Sequence, residues 1–166
     1  MDILSHGLWG GLAFGRKSKK TFAVTMLFGM LPDAIPFGVP FLAFMGKSIV
    51  SGAIFRAPIP GEGYAGMPAY VHEFYAVTHS LVIFVVVFVI VALMRKRPYL
   101  PLASWGLHVL MDIPVHTRAF FPTPFLWPIS DYTFDGINWS HAVIFLPNIL
   151  VLALCCAWFW RNREVP

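Results

Sequence analysis

The sequence predicts an all-α integral membrane protein of four transmembrane helices plus a short N-terminal inserted helix, with the second helix broken at Pro32. Three observations predict it. Of 166 residues, 58% are hydrophobic and only 12% are charged, a balance outside the soluble globular range. Four apolar runs, Thr21 to Met45, Val77 to Met94, Leu100 to Val115 and Trp139 to Trp160, are long enough to cross or nearly cross a bilayer. Lys and Arg gather in blocks at the ends of those runs, as topology signals do. The chain, 1–166, reads as a single membrane-embedded domain.

The first apolar stretch, Ile3 to Phe14, reaches only about 18 Å as a helix, so a partly inserted helix is expected. No basic segment precedes it, and it runs into Gly15-Arg16-Lys17 instead of a small-residue cleavage site, so it reads as retained. The second run holds Pro32, Pro36 and Pro40, each of which removes a backbone donor and crowds the preceding turn; a break at Pro32 follows. A broken helix in lipid requires protein or a cavity to satisfy its freed backbone groups, and Asp33 marks that place.

The basic blocks are Arg16, Lys17, Lys19 and Lys20, then Arg95, Lys96 and Arg97, then Arg161 and Arg163, nine of the twelve cationic residues. Falling on alternate connections, they put both basic loops and the C-terminus on the cytoplasmic side of a cell inner membrane. The outward connections, from about Gly46 to Ala76 and from His116 to Asn138, carry only Lys47, Arg56 and Arg118. Trp158 and Trp160 mark the inner interface, Trp127 and Trp139 the outer one. This topological use of the cations leaves no nucleic-acid partner to infer from the net charge of +4. The expected partners are membrane lipids, including a lipid-like substrate; oligomeric state is not legible. Cys155 and Cys156 are adjacent and have no partner elsewhere, which excludes a disulfide framework.

Ionisable residues inside apolar runs are expensive and need a reason. Counting inward from the basic anchors at about 1.5 Å per residue, His6 lies roughly 15 Å from Arg16 and Asp33 roughly 20 Å from Lys20. His108 and Asp112 lie roughly 16 and 22 Å from Arg97, and His79 roughly 24 Å from Arg95. These five residues from four segments fall in one slab. His108 and Asp112 are four residues apart, so a helix turns them to one face. Imidazole and carboxylate without thiolate suit zinc, with manganese or iron as alternatives. His6, Asp33, His79, His108 and Asp112 are therefore the expected metal ligands. Glu73, His72 and His116 lie nearer the outer surface, where base, supporting partner or further ligand are open to each, with Glu73 and His72 the expected catalytic pair. Arg118 is the cation nearest that mouth, with phosphate matching or interfacial snorkelling both open to it.

Ser5-His6, Leu31-Pro32-Asp33, Thr78-His79-Ser80, Gly106-Leu107-His108 through Asp112, and Leu126-Trp127-Pro128 together resemble the YdjM-type family of membrane-bound metal-dependent hydrolases. The order matches from the first helix to about Pro128. The resemblance implies a helical inner-membrane protein with a metal site and hydrolase activity of unsettled substrate. The chain departs from the family pattern twice. That pattern reads Leu-Pro-Asp-Ile-Asp where Leu31-Pro32-Asp33-Ala34-Ile35 stands here, so a carboxylate is absent and a two-metal site is less secure. It also has His-Arg shortly before Thr-His-Ser, where this chain has His72-Glu73 further upstream.

The expected function is metal-dependent hydrolysis of a lipid or lipid-linked ester or phosphoester through metal-activated water. The alternative is a metal-binding or ion-transporting membrane protein without hydrolysis, in which the same donors hold an ion in transit. A catalytically inactive scaffold and a hydrogen-bonded His108–Asp112 pair serving only helix packing are the blander readings.

Overall fold

A computed structural model describes residues 1–51 and 67–162. Its helices are α1 (Ile3–Phe14), α2 (Lys19–Ser51), α3 (Ala69–Thr78), α4 (Leu81–Arg95), α5 (Ala103–Asp112) and α6 (Ala142–Arg161), with 3-10 turns at Leu100–Leu102 and Ile113–Val115. No strand occurs among the described residues. Arg56 and Arg163 lie outside the described residues, as does the side chain of Lys47.

Two helices are long and apolar enough to cross a membrane, over Lys19–Ala43 and Ala142–Arg161. A third span exists if the bent pair α3 and α4 is counted as one. The stretches Ile3–Phe14 and Leu100–Val115 form only short apolar helices. The first was expected to be short; the second was expected to span. The count of four full spans is therefore not reached by length, because the 3-10 turn Ile113–Val115, which holds Pro114, ends α5 early. On α6, Val143, Leu146, Leu150 and Leu154 are each about 60% exposed, an apolar face of a kind that lipid covers.

Helix α2 corrects the expected break. It runs as one helix through Pro32, Pro36 and Pro40. Pro36 cannot donate to the carbonyl of Pro32, and the Thr78 hydroxyl takes its place, donating to Pro32 O at 2.9 Å. A neighbouring side chain thus meets the need that would have favoured a break. Thr78→Val is expected to leave that carbonyl unsatisfied and cost about 1–3 kcal/mol; denaturant unfolding in detergent checks it.

The sharp bend lies elsewhere, in the run Val77 to Met94 that the sequence presents as continuous. The axes of α3 and α4 differ by 57°, and His79 and Ser80 form the corner. The Ser80 side chain accepts from Ile83 N at 3.1 Å and caps α4. The same hydroxyl donates to Trp127 O, and Leu81 N donates to Phe125 O at 2.9 Å. The loop through Phe125 and Trp127 thereby completes the hydrogen bonding of the corner.

Helices α1, α2 and α5 pack through small residues. A Cβ at Gly29 would lie 2.7 Å from both His6 O and Ser104 Oγ, so three segments meet where only hydrogen fits. Toward the basic end, Leu12, Phe22, Leu152 and Phe159 form a buried cluster joining α1, α2 and α6. Asn148, polar within α6, is held by Trp9 Nε1 at 2.9 Å and donates to Ser5 Oγ at 3.0 Å. The basic blocks meet at one end of the bundle: Arg16, Lys17, Lys20, Arg95 and Arg97 line one cavity of about 620 Å³. Arg16 also lies over the Trp158 ring at 5.9 Å, bringing the last turn of α6 to that end.

Candidate metal centre

Toward the opposite end from the basic blocks, α1, α2, the α3–α4 corner and α5 each present an ionisable side chain to one point. Asp33, His79, His108 and Asp112 offer ligand atoms that all lie within 4.8 Å of one another. His79 Nε2 and His108 Nε2 are 3.1 Å apart. From Asp33 Oδ1 these two nitrogens lie at 3.3 and 3.7 Å, and from Asp112 Oδ2 at 3.5 and 3.2 Å. A tetrahedral ion with ligand bonds of 2.0–2.2 Å has ligand–ligand edges of about 3.4 Å. These five separations bracket that value, so the four residues could hold a divalent ion. His79, His108 and Asp112 are fully buried, and the Asp33 side chain is 13% exposed.

The imidazoles are oriented from behind. His108 Nδ1 donates to Gly29 O at 2.7 Å. His79 Nδ1 donates to Tyr75 O at 3.2 Å, and the Tyr75 ring stacks on it with centroids 3.7 Å apart. His116 Nδ1 donates to Phe121 O at 2.6 Å. A backbone carbonyl on Nδ1 selects the tautomer that leaves Nε2 as a lone pair, the arrangement of metal-ligating histidines. Three histidines here share it, and all three Nε2 atoms face carboxylate oxygens. Two Nε2 lone pairs and two carboxylates converging at 3.1–3.7 Å repel unless a cation lies among them.

The carboxylates are shared with a second imidazole pair. Asp112 Oδ1 lies 3.0 Å from His6 Nε2 and 3.3 Å from His116 Nε2, and Asp33 Oδ2 lies 3.6 Å from His6 Nδ1. The amino group of Met1 stands 2.5 Å from Asp112 Oδ1. The His6 ring stacks on His108 with centroids 3.7 Å apart. Both His6 nitrogens and Asp112 Oδ2 are buried without a properly aligned hydrogen bond, a state that coordination to a cation relieves.

All five residues placed in one slab by depth counting thus meet in space. His116, expected near the outer surface and not among the five ligands, is 6% exposed and faces Asp112. The signal was present in the spacing, since His108, Asp112 and His116 continue in steps of four. Tyr75, which donates its hydroxyl to Phe121 O at 3.1 Å, gave no sign in sequence. Glu73 is exposed and His72 half-buried on α3, and neither belongs to the four-residue cluster. Arg118 is exposed, with its backbone N bonded to Asp135 Oδ1 at 2.8 Å and its guanidinium 3.5 Å from Thr133 O.

A second cavity, of about 860 Å³, opens beside the centre, with Asp33 and His116 in its wall. The chain matches no family model, no curated protein and no solved structure. The YdjM-type resemblance therefore rests on its motifs alone.

Proposed function

We propose that this protein is a membrane-bound, metal-dependent hydrolase acting on an ester or phosphoester of a lipid or lipid-linked substrate. The observation that carries this reading is the buried convergence of imidazole lone pairs and carboxylates next to a cavity, which gives a cation its ligands and leaves substrate and water a way in. Zinc suits the ligand set best, with manganese or iron as alternatives. When bound, such an ion lowers the pKa of a water molecule and polarises an ester or phosphoryl oxygen.

The remaining roles belong to the chain. Asp33, His79, His108 and Asp112 hold the ion, with His6 extending the set across the second oxygens of the two carboxylates. The carbonyls of Gly29 and Tyr75 keep His108 and His79 aimed at it. His116, at once against Asp112 and in the cavity wall, is the group we assign to accept a proton from the attacking water. This assignment moves the base from Glu73 and His72, which lie outside the cluster, to His116. With the basic end cytoplasmic, the cavity faces the outer leaflet.

Ion passage is favoured less, because the cavity at the basic end is lined by none of the five expected ligands. The test is a panel of phospholipids and neutral lipid esters incubated with detergent-purified protein, with products identified by mass spectrometry. Turnover is expected that a chelator abolishes and zinc or manganese restores. His116→Ala is expected to lower it by about 10²–10⁴-fold, and Glu73→Gln by no more than about twofold. Metal-loaded protein that cleaves nothing in the panel but carries the ion across proteoliposomes would overturn the reading.

A further inference from the structure

The cavity beside the centre has a form that bears on what enters it. One face of α2 supplies Ala34, Phe37, Gly38, Phe41 and Leu42 to its wall, the i, i+3, i+4, i+7, i+8 pattern of a helical stripe. From Ala34 to Leu42 this wall is roughly 12 Å long. Phe120, Phe121 and Trp139 supply apolar surface from the other elements. The polar side chains in its wall are Asp2, Asn138 and Ser140 together with Asp33 and His116 of the centre. Phe41 and Leu42 are 56% and 69% exposed, and Val39 next to them 63%, so apolar side chains also form the outer surface at this part of α2. The stretch Lys19–Ala43 is one of the two helices suited to span a bilayer. The cavity therefore opens beside a surface suited to lipid and ends at the metal centre.

Resting on the hydrolase reading for its chemistry, we propose that this cavity holds one acyl chain of a membrane lipid, entering sideways from the bilayer past Phe41 and Leu42. The headgroup linkage then lies at Asp33 and His116. A 12-Å apolar stripe without a row of hydrogen-bond partners suits a hydrocarbon chain and offers nothing to a peptide backbone or sugar. Gly38 and Ala34 set the room available. A Cβ at Gly38 would meet no atom within 4 Å, so a larger side chain there enters open space and shortens the cavity without disturbing the fold.

The test reads binding, not turnover. Wild-type protein in nanodiscs is photolysed with phosphatidylcholines that carry a diazirine at the end of one chain, and labelled residues are mapped by mass spectrometry. Labelling is expected to concentrate on Phe37, Phe41, Phe120 and Phe121, and to fall at least fivefold there in Gly38→Leu and Ala34→Phe. In detergent, the affinity for single-chain phospholipids is expected to rise about fourfold per added methylene and then to stop rising, at a shorter chain in Gly38→Leu than in wild type. Labelling spread evenly over lipid-exposed positions such as Leu93, Met94 and Leu146, or a chain-length dependence unchanged by Gly38→Leu, would overturn the proposal. The two readings fail separately: chain capture with bound metal and no product removes the hydrolase, whereas cleavage of short water-soluble esters without capture removes the acyl site.

Discussion

Asp112→Asn protein is expected to emerge from purification with less than a tenth of the metal bound by wild type. Asp112 is the residue on which both imidazole pairs depend: Oδ2 faces His79 and His108, and Oδ1 faces His6 and His116. Asparagine keeps the shape but removes the charge and replaces one coordinating oxygen by an amide nitrogen that has no lone pair to offer a cation. Loss of partners that merely orient a ligand costs about 10–100-fold in metal affinity, and loss of a shared carboxylate exceeds that. Any hydrolytic turnover falls by a similar or larger factor. A readout independent of activity is available, because an ion that binds only the folded protein stabilises it by about 2.7 kcal/mol at a hundredfold excess over its Kd. A chelator should lower the melting temperature of wild type and leave Asp112→Asn unmoved; His108→Gln should behave in the same way. Equal metal content in wild type and variant, measured by elemental analysis, would remove the ligand assignment.

The second large effect concerns two glycines on one helix. Gly29→Leu is expected to abolish recovery of a monodisperse protein, whereas Gly38→Leu on the same helix is expected to purify and melt like wild type. At Gly29 the first added carbon lies 2.7 Å from the His6 carbonyl, a backbone atom that can yield only if α1 moves, and moving α1 carries His6 away from Asp112. Overpacking of this kind typically costs about 1–3 kcal/mol for small additions, and a leucine adds three further carbons. At Gly38 the neighbouring space is empty, and a residue with better helix propensity is tolerated. Size-exclusion profiles and thermal melts of the two variants in one detergent provide the comparison. Indistinguishable behaviour would mean that α1 and α2 do not approach each other as described.

The candidate donors were legible because an ionisable group inside an apolar run is costly unless it finds a partner, so each one marks a place where segments meet. Depth follows from counting residues from the basic anchors. His6, Asp33, His79, His108 and Asp112 could be named that way, as could the short helix Ile3–Phe14, whose bounds recur unchanged. His116 was not counted among the expected ligands; the 3-10 turn Ile113–Val115 keeps it near the face of Asp112. The bend was misplaced for a related reason. Prolines signal a break through the donors they remove, and whether a helix breaks depends on who supplies the missing donor. Thr78 supplies it to Pro32, so α2 continues, while the loop at Phe125 and Trp127 stabilises a corner at His79 and Ser80.

By itself the sequence determined the helical class, the apolar runs long enough to cross a membrane and the identity and spacing of the polar residues within them, since each follows from local composition and from spacing along one helix. Tertiary structure alone decided which oxygen of Asp112 faces which imidazole, that Gly29 O and Tyr75 O aim the rings, and that a cavity adjoins the centre. Those features arise between segments distant in the chain, where packing distances of a few ångströms, and not the residues on either side, set the outcome.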